Sequence, residues 1–212
     1  MNKQIFLALA AATIAALPGP AQAARNSPAV YEAGRCIVQY DRAAANRLMA
    51  TLPLGETAAD LPGLNRRAAA CAQRLAGEPA MQVRGALAQA MFARDFRSFG
   101  SDPDPRRGFI NLNLPTQARP GADNDRTTQL YRWADCVVRN DSGSAERLLR
   151  TEAASPEEAA AIEGLRNYMA ACMPAGTQLD IRLWELRSVI AQSAYHAVYR
   201  YWTGQLEAAR GS

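Results

Sequence analysis

The sequence predicts an all-α fold built from two tandem three-helix units, each closed by its own disulfide. Three observations carry that expectation. Apolar residues recur at three- and four-residue steps, and the alternating pattern of strands is almost absent. The stretch that follows the first 30 residues reappears about 100 positions later. Four cysteines fall at matching places in the two copies.

Residues 1–23 read as a secretory signal. Lys3 supplies the positive start, Ile5 to Leu17 form an apolar run of 13 residues interrupted only by Thr13, and Leu17-Pro18-Gly19-Pro20 breaks the helix. Ala21-Gln22-Ala23 then offers a small-x-small cleavage site. A spanning helix needs about 20 apolar residues, so this run is too short to remain as an anchor. No cysteine follows the expected cut and no later stretch could span a bilayer, so the mature chain is expected to begin near Ala24 and to be soluble.

Residues 24–99 form the first expected unit. Ile37, Tyr40, Ala44, Leu48 and Leu52 line one face of a first helix, which Pro53 and Gly55 end. A second helix is expected from about Asp60 to Leu75, with Pro62 in its first turn, and a third from about Pro79 to Ser98 with Val83, Leu87, Met91 and Phe92 inward. Residues 100–126 are rich in Pro, Gly and Asp and read as a linker. Phe109 to Leu114, the one alternating stretch, lies inside it. Residues 127–212 form the second unit, with helices expected near Thr127–Thr151, Ser155–Cys172 and Thr177–Leu206. Ser155-Pro156-Glu157-Glu158 is a strong helix start: a serine cap, proline at the first position, and acids facing the positive end of the helix dipole.

The repeat is residue by residue. At an offset of 100, Tyr31, Cys36, Val38, Asp41, Ala45, Arg47, Leu48 and Thr51 meet identical residues. At 101, Gly63, Leu64, Ala69, Ala70 and Cys71 do so, and at 103, Arg84, Ala88 and Gln89 meet Arg187, Ala191 and Gln192. The offset changes only at expected loops. This pattern reads as a duplication, with the two units stacked or related by a pseudo-twofold axis so that each covers the face the other leaves open.

Four cysteines allow three pairings. The repeat selects Cys36–Cys71 and Cys136–Cys172, each bridging two neighbouring helices of one unit. In an oxidising compartment such bridges persist, and each would stabilise by roughly 4 kcal/mol on the chain-entropy account. Neither zinc nor a redox-active dithiol is expected, because C-x-x-C pairs are missing and the single histidine, His196, lies in another helix. No cofactor is expected.

Once Lys3 has left with the signal, 23 arginines face 20 acids, a net charge of +3. The two signs alternate, which argues against nucleic acid. The arginine and alanine bias, with the A-x-A site, points to a bacterial source and hence to the periplasm or secretion.

Candidates for chemistry are few. His196 shows no partner that would orient it as a base and is expected to pack among Trp184, Tyr195 and Tyr199 or lie at the surface. Ser142-Gly143-Ser144 reads as a loosened turn. Asp41/Asp141, Arg47/Arg147, Arg84/Arg187 and Gln89/Gln192 recur in both units and read first as structural ion pairs and hydrogen bonds. Tyr201 and Trp202 are adjacent and cannot both face inward, so they mark a contact surface for self-association or for another envelope protein. The expected function is a non-catalytic binding or interaction module of the periplasm or exterior. The alternative is a small envelope hydrolase using the carboxylate of Asp41 or Asp141.

Overall fold

The computed structural model of the chain describes residues 27–51, 61, 63–96, 126–173 and 179–211. The expected signal segment and nearly all of the linker lie outside them. Among the described residues the fold is all-helical: α1 (Pro28–Tyr40), α2 (Arg42–Thr51), α3 (Arg66–Ala72) running into a short 3-10 turn (Gln73–Leu75), α4 (Ala80–Asp95), α5 (Arg126–Asn140), α6 (Ser142–Arg150), α7 (Pro156–Ala171) and α8 (Leu183–Gly211). Among these residues no helix is long and apolar enough to cross a membrane.

The expected first helix of each unit is in fact two. α1 stops at Asp41, whose backbone sits at φ −149°, ψ 70°. The Asp41 carboxylate then accepts the Ala44 N–H at 3.0 Å and starts α2. Asp141 repeats this between α5 and α6, at φ −145°, ψ 77°, accepting the Ser144 N–H at 2.9 Å. An aspartate side chain competes with the backbone for N–H groups, so a residue that periodicity places mid-helix ends one helix and caps the next. Ser142-Gly143-Ser144, expected as a loosened turn, is the helical first turn of α6.

α3 begins later than Pro62 suggested. Asn65 claims the Arg67 and Ala68 N–H groups at 3.1 and 3.0 Å, and Gly63 ahead of it has φ +74°. α7 starts as expected: Ser155 accepts the Glu158 N–H at 3.1 Å and Pro156 is the first helical residue. Arg126, placed at the end of the linker by sequence, is the first residue of α5 and donates to both Glu185 carboxylate oxygens at 2.9 Å.

α4 and α8 form the centre, with α1 against α4 and α5 against α8. Every residue of α4 from Ala80 to Phe92 is buried, polar ones included. A helix buried all round must satisfy its polar side chains internally. α4 and α8 touch backbone to backbone at Gly85, where an added Cβ would lie 2.5 Å from the Ser188 Cα. On the other side of α4, Gly34 of α1 packs against Ala86, where a Cβ would lie 2.8 Å from the backbone.

Both expected disulfides are present. Cys36 of α1 pairs with Cys71 of α3 at a Cα separation of 5.9 Å, and Cys136 of α5 pairs with Cys172 at the end of α7 at 5.8 Å. Two disulfides suit an oxidising environment.

Candidate functional site

The polar residues that recur in the sequence converge on the α4–α8 crossing, and they pair reciprocally. Arg84 Nε of α4 donates to Gln192 Oε1 of α8 at 2.9 Å, and Arg187 Nε of α8 donates to Gln89 Oε1 of α4 at 3.0 Å. Gln89 and Gln192 lie 103 positions apart, as do Arg84 and Arg187, so each arginine meets the glutamine of the other helix. Gly85 and Ser188, the residues of closest approach, are also 103 positions apart. The recurring tyrosines follow the same rule. Tyr131 Oη donates to Gln192 Oε1 at 2.8 Å on the Arg84 side, while Arg187 lies over the Tyr31 ring, 4.8 Å from its centroid.

Arg187 is fully buried and makes four hydrogen bonds. Besides Gln89 these run to Thr151 Oγ1 at 3.1 Å, to Thr151 O at 2.5 Å and to Glu158 Oε1 at 2.6 Å. The other Glu158 oxygen accepts the Ala154 N–H at 2.7 Å. Gln89 Nε2 donates to Leu149 O at 2.7 Å. The α6 end and the turn into α7 are therefore held by side chains of α4 and α8. Burial lowers the pKa of Arg84, an effect the neighbouring Tyr131 partly offsets, and burial pushes Tyr131 up to about 12. Burial also raises Tyr31, which the Arg187 charge only partly opposes.

Beside this network lies a pocket of about 220 Å³ between α1, α4 and the end of α6. Its walls are Ala86, Ala90, Phe92, Ala93 and Leu149, and its polar lining is Tyr31, Arg35, Gln89, Arg150 and Thr151. Sequence reading picked out neither the pocket nor Arg35. The signal was nevertheless there: the positions 103 residues beyond Ala86, Ala90 and Ala93 carry Val189, Ser193 and His196. Alanines at these three positions, with larger residues at their matches, leave room beside α4.

The recurring aspartates lie elsewhere and are occupied. Asp41 accepts the Asn65 N–H at 2.8 Å as well as that of Ala44, and these bonds lower its pKa. For Asp141 burial pushes upward but is outweighed by the bonds from the Ser144 hydroxyl and amide, and its pKa also falls. Arg147 donates to the Ser144 hydroxyl, which donates to Asp141, so these residues are linked through one helical turn rather than to another helix. Arg47 donates to Gly63 O at 2.9 Å.

His196 of α8 is buried. Tyr201 is exposed, whereas the Trp202 side chain lies outside the described residues. Among the described residues, no cluster of three or more histidine, cysteine, aspartate or glutamate side chains could hold a metal ion. No family model, no curated protein and no solved structure matches the chain.

Proposed function

We propose that this protein is an exported, non-catalytic binding module, made of two duplicated helical units and working in the periplasm or outside the cell. The observation that carries the reading is the occupation of the recurring polar residues. The Asp41 and Asp141 carboxylates are taken up by backbone N–H groups, which hold them ionised and make them poor general acids. Arg187 and Gln89, with Arg84 and Gln192, hold the two halves together. Among the described residues a small pocket opens beside this disulfide-tied frame. The reciprocal pairing at the α4–α8 crossing is what a duplicated, self-complementary unit would produce, since in such an interface residue i meets j and j meets i.

The test compares binding with turnover. The disulfide-intact protein is incubated with a small-molecule extract of the cell envelope and its melting temperature is followed. A binding module gains stability by mass action from a compound that mass spectrometry recovers unchanged. Consumption of any extract component that stops in D41N or D141N would establish the hydrolase instead. Exposed Tyr201 and its neighbour Trp202 are the proposed contact surface for a second copy or another envelope protein. Loss of an oligomer on size exclusion in W202A is the expected sign.

A further inference from the structure

We propose that the pocket between α1, α4 and the end of α6 binds a small amphiphilic anion, a carboxylate carried on a short apolar body. This rests on the binding-module reading and specifies its ligand.

The pocket's polar groups decide the charge of the ligand. Gln89 is committed at both ends, to Leu149 O and to Arg187. The Thr151 hydroxyl donates to Leu148 O at 2.7 Å and accepts from Arg187. Arg150 is paired with Glu146 at 2.8 Å. One lining group is left to face a guest: Arg35, which stands exposed at the rim. The Tyr31 hydroxyl is sealed from the cavity, so its phenol offers a guest no donor. A guanidinium is a donor only. No carboxylate lines the pocket. A guest that satisfies Arg35 is an acceptor with negative charge.

The walls decide the body. Ala86, Ala90, Phe92 and Leu149 are apolar and buried. A volume of about 220 Å³ is below the usual range for drug-sized ligands and suits roughly 10 non-hydrogen atoms.

The second half of the chain supplies an internal comparison. The position matching Arg35 is Asp135, the position matching Arg150 is Ala50, and the matches of Ala90 and Ala93 are Ser193 and His196. The same framework there has an acid in place of the rim arginine and bulkier residues in place of the alanines. Arg35, Ala90 and Ala93 thus combine small walls with a positive rim, a combination that their matches Asp135, Ser193 and His196 lack.

The experiment uses octanoate, which has about the right size, against octanamide and octylamine, followed by calorimetry and by chemical-shift changes in the disulfide-intact protein. Octanoate is expected to bind with Kd on the order of 0.1–1 mM. R35D, an exposed substitution that imports the residue of the other half, should weaken it by tenfold or more. A90L should abolish it by filling the pocket. An unchanged melting temperature of R35D establishes that its fold is intact. Equal affinity for octanoate and octanamide overturns the anion assignment. Octanoate binding that survives both R35D and A90L overturns the location. If none of the three probes binds, this inference fails, while the extract experiment still decides separately whether the protein is a binding module.

Discussion

Arg187 of α8 and Glu158 of α7 meet at 2.6 Å where neither side chain is more than 2% exposed. The pair does more than cancel two charges. Through its second oxygen Glu158 holds the N–H of Ala154, a non-glycine residue at φ +62°, and through its other donors Arg187 holds Thr151. The turn from α6 to α7 is shaped by a charge delivered from the central helix.

Removing one partner would leave the other charge buried and uncompensated. E158Q is therefore expected to lower the unfolding free energy by about 3–5 kcal/mol in urea denaturation, through a shift in midpoint. A154G removes the left-handed strain and should be neutral or stabilising by up to about 1 kcal/mol, the gain being limited by the extra freedom of glycine in the unfolded chain.

Glycines 85 and 164 should respond in opposite directions to alanine. G85A forces a methyl group to within 2.5 Å of the Ser188 Cα, so α4 and α8 must move apart. A loss of about 1–3 kcal/mol or more is expected, with disruption of both arginine–glutamine pairs. At Gly164, within α7, an added Cβ meets nothing within 4 Å. G164A should raise stability by roughly 0.5–1 kcal/mol, the ordinary helix-propensity difference. Thermal melts of the two variants side by side check both signs.

Asp41 and Asp141 should couple stability to acid pH. Their folded pKa values lie below the ordinary carboxylate value, so the unfolded chain takes up protons first as the pH falls. The stability they contribute is complete above the unfolded pKa of about 4 and is lost as the pH drops below it toward their folded values. D41A and D141A should each cost about 1 kcal/mol at neutral pH through loss of the cap, and the double variant should show a flatter stability profile between about pH 5 and pH 2. An unchanged profile would locate the acid sensitivity elsewhere.

Each disulfide should be worth about 2–5 kcal/mol, so C36S/C71S and C136S/C172S are both expected to unfold at clearly lower urea concentration than the parent. Peptide mapping without reductant should recover Cys36 with Cys71 and Cys136 with Cys172, with no crossed pairs.

Much of this was legible in the sequence, for identifiable reasons. The disulfide pairing was readable because matching spacing leaves one consistent choice. The α7 start was readable because Ser155, Pro156 and Glu158 act within a single turn, where local chemistry decides the outcome. The breaks at Asp41 and Asp141 were not, because hydrophobic periodicity continues across them and only the side-chain bond to the backbone three residues on reveals the cap. Glu158 was read as a partner of the helix dipole. Its larger role, as the counter-charge of Arg187, depends on a residue 29 positions away.

The sequence by itself determined the helical class, the pairing of the cysteines and the list of residues that recur. These depend on near neighbours in the chain or on the comparison of one stretch with another. Only the tertiary structure decided what the recurring residues do: that Arg84 answers Gln192 and Arg187 answers Gln89, and that three alanines beside Tyr31 leave a pocket. The reason is physical. α4 and residues 184–196 of α8 are buried on nearly every side, so their polar groups must find partners across the crossing, and which partners they find is set by the backbone contact at Gly85 and Ser188.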